Sequence, residues 1–146
     1  MTVDPLATLL AHLRADAEIA RLTGGRLFGG DRPAGPEGSL AAAPLGPSID
    51  ARLSGGRPHP DLPLIDAEVE LRCWGGPGPG GPHAAVELWG ALHAAVNVGG
   101  LDVAGAHLLW AVESGGPVLL RDPESGEAYV RAALRVATAA GTNGEG

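Results

Sequence analysis

LIDAEVELRCWGGPGPGGPHAAVELWGALHAAVNV, residues 64–98, is the stretch that decides the fold of this chain. From 64 to 74, apolar and charged residues alternate, which is the period of a half-buried strand. The glycines and prolines at 75–81 can continue neither a strand nor a helix, so the chain turns there. From Pro82, apolar residues recur at three- and four-residue spacing until Gly99, which predicts an amphipathic helix.

Similar patterns predict one more helix and further strands. Asp4 and Pro5 form a cap and a first-turn proline, and leucines along one face predict a helix as far as Thr23. Residues 26–28 are a short apolar segment that could form a brief strand, and residues 29–47 are predicted to form a long loop after it. Apolar alternation or enrichment in apolar residues predicts the strands, which are Ser48–Leu53, Leu64–Trp74, His107–Glu113, Val118–Arg121 and Glu127–Thr138.

The order of these elements predicts the fold class. Neighbouring strands are joined by loops too short for crossover helices, so we expect a largely antiparallel sheet. The prediction is an α+β two-layer sandwich with about four to five strands and two helices packed on one face. Residues 1–138 form a single domain in this prediction, and residues 139–146 form a flexible C-terminal tail. The other face of the sheet then presents Asp50, Arg52, Asp66, Glu68, Glu70, Arg72, Arg131 and Arg135 to water or to a partner.

The composition excludes several classes of function. The formal net charge is −7 and all ten cations are arginine, so general attraction to nucleic acid is not expected. The lack of lysine also removes Schiff-base chemistry and the P-loop lysine. Cys73 is the one cysteine, so an intrachain disulfide cannot form. The sequence has neither a signal-peptide pattern nor an apolar run near 20 residues, so neither export nor a membrane segment is expected.

No motif for catalysis or metal binding is found in the sequence. HExxH, CxxC and GxSxG are all missing, and His83 with Glu87 supplies only two ligands at helical spacing. The alternating acids at 66–70 are better explained by a solvated or interface face than by acid-base catalysis. Cys73 is interpreted as an inert core residue and His93 as a core or interface residue. The tryptophans are expected in the core. Trp74, at the end of its strand, is expected to be the most exposed of them and to lie at an interface. We therefore predict a binding or structural protein with no cofactor, no metal and no catalytic residues.

The whole pattern of elements resembles the tail terminator proteins, also called tail completion or tail-to-head joining proteins, of long-tailed bacteriophages and related gene transfer particles. The resemblance covers residues 4–138. It begins with the helix DPLATLLAHLRADAEIARLTGGRLF and continues with the strand LIDAEVELRCWGG and the helix AAVELWGALHAAV. It ends with LLWAVESGGPVLLRDPESGEAYVRAALRVAT, which contains a strand, an Asp-Pro turn and a closing strand.

This resemblance implies a structural virion protein of the tail or neck, assembled in the cytoplasm of a bacterial host. Such proteins form a ring, usually a hexamer, that caps the tail tube, ends its polymerisation and joins it to the head-tail connector, while DNA passes through without specific binding. An acidic lining would suit that passage. The candidate interface or lumen residues are Asp66, Glu68, Glu70, Arg72, Trp74, Arg131 and Arg135, and the loops at 29–47 and 75–82 are candidate contacts.

Two alternatives remain open at this point. The chain could be a different phage assembly protein of similar size, such as a head-tail connector or a head completion protein. It could also be a small antiparallel-sheet binding domain without a viral role. An enzymatic role would require a pocket with a perturbed histidine or carboxylate, which we do not expect.

Overall fold

The alternating residues at 64–74 form a central strand of the sheet in the computed structural model, which describes residues 4–30, 46–58 and 64–140. The architecture is α+β. In chain order, the elements are α1 (Pro5–Arg14), α2 (Ala17–Thr23), β1 (Leu27–Gly29), β2 (Ser48–Pro58), β3 (Leu64–Trp74), α3 (Gly81–Ala95), β4 (Val98–Val103), β5 (Ala106–Arg121) and β6 (Ala128–Ala140).

The strands form one mixed sheet of six strands in the order β1-β2-β3-β6-β5-β4. β1 runs parallel to β2, and the other neighbouring pairs are antiparallel. The prediction of a largely antiparallel sheet therefore holds except at one edge. The prediction of about four to five strands and two helices matches only roughly, since the described residues form six strands and three helices.

The core lies between the helices and one face of the sheet. Alternate residues of β3 face it and pair across to apolar residues of β6, for example Val69 with Leu134 and Cys73 with Val130. Each side chain pair is removed from water by the helices, and burial of this apolar surface is the main force that holds the layers together. The largest fully buried side chains of this core include Leu9, Leu13, Ile19, Ile49, Leu71, Leu88, Leu92, Leu108 and Leu134.

The helices differ from the prediction at their ends. The first predicted helix is two helices, because Asp16 interrupts α1 and its carboxylate caps α2 by accepting from the N–H of Ile19 at 3.0 Å. The predicted helix from Pro82 ends at Ala95 rather than at Gly99, since Asn97 adopts a left-handed conformation with φ 63°. Of the apolar residues predicted on the buried face of this helix, Leu92 is buried and Val86 is exposed, while Ala85 and Leu88 are also buried.

The strands run through glycines that were predicted to break them. β2 continues past Gly55 to Pro58, and β5 joins the two predicted segments at 107–113 and 118–121 into one strand. Both strands change register at these glycines, so the extra residues form bulges instead of ending the ladder. β4 was not predicted at all, since Gly99 and Gly100 weaken its apolar pattern.

Some predicted features fall partly or wholly outside the described residues. Residues 31–45 of the predicted long loop and 141–146 of the predicted tail lie outside them, while Ala139 and Ala140 belong to β6. In the part of the chain that the structure describes, no helix is long and apolar enough to cross a membrane.

Candidate functional site

The face of the sheet opposite the helices is the candidate site. We call this surface the charged face and define it by Asp50, Arg52, Asp66, Glu68, Glu70, Arg72, Arg131 and Arg135. The register places these residues side by side on β2, β3 and β6, with Asp50 opposite Arg72, Arg72 opposite Arg131, and Glu68 opposite Arg135. All the charged residues predicted for an interface or a lumen are therefore on one surface.

Acids and arginines are interspersed on the charged face, although Arg72 lies opposite Arg131. Glu70 lies between two arginines, with its carboxylate oxygens 4.0 Å from Nε of Arg52 and 3.9 Å from Nε of Arg131. Asp66 forms an ion pair with Arg135. The face contains four carboxylates and four guanidinium groups, so its charges cancel. The acids at 66–70 therefore do not by themselves make this surface negative.

A buried hydrogen-bonded cluster lies at one end of the charged face. Asp50 is 1 % exposed, and its two carboxylate oxygens accept from Nε of Arg72 at 2.8 Å and from Nε1 of Trp74 at 3.0 Å. The Arg72 guanidinium lies over the Trp74 ring, 5.4 Å from its centroid. Tyr129 covers the same indole from β6, with the ring centroids 4.4 Å apart. The cluster holds the ends of β2, β3 and β6 together.

The expectation that Trp74 is the most exposed tryptophan was wrong. Trp74 is 4 % exposed because it ends a central strand, between β2 and β6, where Arg72 and Tyr129 cover it. Trp110, on β5, is 37 % exposed. Sequence reasoning placed Asp50 on the charged face but gave no sign that it anchors the cluster, because that role depends on which strands become neighbours.

The opposite end of the charged face holds a small open pocket. It is lined by Gly56, Asp66, Glu68 and Arg135. Gly56 has no side chain, which allows β2 to approach β3 closely here, since a Cβ at this position would lie 2.6 Å from the Cα of Ala67. Glu68 forms no ion pair with any other described residue. The described residues of its lining offer hydrogen-bond acceptors and one cation and include no nucleophile.

The cysteine and two of the histidines take part in packing or hydrogen bonding and do not belong to a shared site. Cys73 is buried in the core, and burial raises the pKa of its thiol. His93 is exposed, so it is not a core residue, and it pairs with Glu113, which also accepts from Nε1 of Trp89 at 3.2 Å. Nε2 of His12 lies 2.8 Å from the carbonyl oxygen of Ala95. Within residues 4–30, 46–58 and 64–140, no three side chains of His, Cys, Asp or Glu come together as metal ligands.

Comparison with known proteins identifies the family. A chain in the solved structure described as the virion of a native gene transfer agent (GTA) particle has the same fold, with a TM-score of 0.61 at 16 % identity. The match covers 91 % of this chain and 92 % of that one. No curated protein matches the sequence. The family model described as tail completion protein gp17 matches residues 7–140, which include nearly all of the described helices and strands. The chain belongs to this family of tail completion proteins.

Proposed function

We propose that this protein is a structural component of a phage-type virion, in the tail or neck, where it completes the tail. Six copies form a ring that caps the tail tube, ends its polymerisation and offers the surface that joins the head-tail connector. The match of the tail completion family over residues 7–140 is the observation that carries this proposal. The shared fold with a chain of a gene transfer agent virion is consistent with it.

In this proposal the protein has no catalytic role and needs no cofactor. Its partners are other copies of itself, the tail tube protein and the connector, and assembly takes place in the cytoplasm of the bacterial host. The family supports this assignment, and so does the nature of the candidate surface, where arginines are paired to carboxylates within the sheet. Such pairing suits contacts between proteins better than it suits chemistry on a small substrate.

The charged face is our candidate for the lumen or for an interface of the ring. Arg131 and Arg135 are each 50 % exposed at the side chain and lie beside the carboxylates of Glu70 and Asp66. A carboxylate beside each guanidinium weakens its attraction for phosphate, because binding to DNA depends on unneutralised cations. A lining of this kind lets DNA slide past without specific binding. Asp66, Glu68, Glu70 and Arg72 complete the candidate set, whereas Trp74, which is 4 % exposed, contributes only through its contact with Arg72.

Assembly with purified tail tube protein tests the proposal. Light scattering on the full chain, alone and with tube protein, is expected to show a species of six copies. Electron micrographs are expected to show shorter tubes when the protein is added to polymerising tube protein, since each ring ends one tube. A strict monomer under both conditions contradicts the ring. A ring that leaves tube length unchanged contradicts the capping role and favours a head completion protein.

A further inference from the structure

The side of the sheet that carries the charged face is apolar along β5. We call this part the apolar strip and define it by Trp110, Val112, Val118 and Leu120. Val112 pairs with Arg135 and Val118 pairs with Arg131, so the strip lies directly beside two residues of the charged face. Trp110 is 37 % exposed, Val118 is 41 % exposed, and the other two are half-buried. Large apolar side chains in a row on an open sheet face are typical of a surface that another protein covers.

The strand next to the apolar strip is positively charged. β6 contains Arg131 and Arg135 and no carboxylate, and both arginine side chains are 50 % exposed. Arg131 is the less neutralised of the two, because it lies opposite Arg72 and its Nε is 3.9 Å from the carboxylate of Glu70. Val118 is its neighbour on β5. A partner that fits this surface presents an apolar side chain next to a carboxylate.

The outer side of α3 has this chemistry. Val86 is 46 % exposed, and the next residue, Glu87, is exposed as well. Consecutive residues of a helix are about 100° apart around its axis, so the two side chains lie side by side. Glu87 forms no ion pair with another described residue, and Arg21 on α2 is bound to Glu18 through two hydrogen bonds. One turn after Val86, Gly90 leaves an open position, because a Cβ there would meet nothing within 4 Å.

The lengths of the two surfaces also agree. Val112 and Val118 pair with residues of β6 that are four positions apart, which corresponds to about 13 Å along the strand. Val86 and Ala94, both exposed on α3, are eight positions apart, which corresponds to about 12 Å along the helix. A helix like α3 can therefore lie along the apolar strip, with the open position at Gly90 over its middle.

We propose that α3 of one copy lies on the apolar strip of the next, with Val86 against Val118 and Glu87 beside Arg131. This inference rests on the proposed ring. The two surfaces belong to opposite layers of one chain, so each copy binds the copy before it with one surface and the copy after it with the other. Such a contact closes into a ring when the rotations between copies add up to a full turn. The twist of the sheet, about 20–25° per strand, tilts β5 relative to the strands under α3, so successive copies are rotated and not simply stacked.

Charge and symmetry favour the helix layer of a second copy as the occupant. The helices and their capping residues contain four carboxylates and two arginines, so this layer attracts the arginines of β6. Two apolar strips packed on each other would instead bring the arginines of two β6 strands together. That contact is also twofold, so it would end at a dimer and could not build a ring.

Cysteine crosslinking of the full chain tests this contact, in a Cys73→Ala background and in the presence of tail tube protein. A short bismaleimide joins two thiols that face each other across a helix–sheet contact. A chain with Val86→Cys and Val118→Cys is expected to give a ladder of covalent multimers up to the ring size on a denaturing gel.

Charge reversal tests the ion pair in the same contact. Glu87→Arg and Arg131→Glu are each expected to lower the ring population at least tenfold, because every contact in the ring then brings two like charges together. The double variant is expected to recover most of the ring population. The melting temperature of the monomer with Glu87→Arg is expected to stay unchanged, since the residue is exposed.

Leu119 provides the matched control for the crosslink. It follows Val118 and is 52 % exposed, but it pairs with Val130 of the core and so points to the other side of the sheet. Val86→Cys with Leu119→Cys is expected to give no ladder, and each single cysteine variant is expected to remain uncrosslinked.

The outcomes that overturn this contact are distinct from those that overturn the proposed function. A ring-sized species without a ladder from Val86→Cys with Val118→Cys, or with an equal ladder from the Leu119→Cys control, overturns the contact and leaves the ring standing. Crosslinks in a single variant, or to tube protein only, also overturn it, because they indicate a twofold contact or a different occupant. A strict monomer with and without tube protein overturns both the contact and the ring.

Discussion

The buried carboxylate of Asp50 is the group on the charged face whose loss should cost the most stability. Its side chain is 1 % exposed and accepts hydrogen bonds from Arg72 at 2.8 Å and Trp74 at 3.0 Å. A hydrogen bond to a charged group contributes roughly 1.5–3 kcal/mol, and removing one partner of a buried ion pair costs about 3–5 kcal/mol. We expect Asp50→Asn to lose about 2–3 kcal/mol, since the amide can still accept one bond, and Asp50→Ala about 3–5 kcal/mol.

Urea unfolding followed by circular dichroism measures this loss, at a protein concentration where the chain is monomeric. The melting temperature should fall by about 2–4 °C for each kcal/mol in a chain of this size. Asp66→Asn is the matched control, because its ion pair with Arg135 is partly exposed and should contribute only about 0–1 kcal/mol. Equal losses in the two variants, or a loss below about 0.5 kcal/mol for Asp50→Asn, would refute the anchoring role.

Further predictions concern single positions in the loop, the helix and the core. Gly75→Ala should destabilise the fold by about 3 kcal/mol or more, because its Cβ would lie 1.8 Å from the carbonyl oxygen of Gly81. Gly90→Ala should instead stabilise the exposed side of α3 by about 0.5–1 kcal/mol, since nothing lies within 4 Å of the added methyl group; thermal melting compares the two variants. Burial raises the pKa of the Cys73 thiol, so the thiol stays protonated in the folded chain while it ionises above roughly pH 8.5 in the unfolded chain. Stability should therefore fall as pH rises past that value, by up to about 1.4 kcal/mol per pH unit. Urea titrations at pH 7.5 and pH 9.5 should show a larger fall than in Cys73→Ala, and equal falls in the two proteins would contradict this expectation.

The parts of the fold that follow local rules could be predicted from the sequence. The alternation at 64–74 gives β3, and its two faces are the core and the charged face as expected. The cap at Asp4 gives α1, and its carboxylate accepts from the N–H groups of Leu6 and Ala7. These features depend on residues close in sequence, so a pattern along the chain is sufficient to find them.

The features that depend on neighbouring strands could not be predicted in the same way. Gly115 disrupts the pattern locally, but β6 supplies a ladder that carries β5 past it with a bulge. Trp74 is predicted exposed because it comes before a glycine-rich loop, yet the strands on both sides cover it. The burial of a side chain at a strand end is set by tertiary contacts, which the period of the sequence does not encode.

In the candidate site, too, local sequence determines some features and the arrangement of the strands determines others. Alternation was enough to place Asp66, Glu68 and Glu70 on one face, and it suggested an acidic surface. Alternation in the closing strand also placed Arg131 and Arg135 on this face, but the acids they pair with could be identified only from the strand order, because both arginines come from β6, more than 60 residues further along the chain. Their ion pairs with Glu70 and Asp66 leave the acids of β3 partly neutralised.

Tail length in particles made without this protein tests the central claim most directly. Electron micrographs of particles assembled in a host that lacks the gene, compared with particles complemented by the intact gene, give the length distribution and the fraction of tails attached to heads. We predict overlong tails that are not joined to heads, with normal length and attachment restored on complementation. Tails of normal length attached to heads in the absence of the protein would contradict the account.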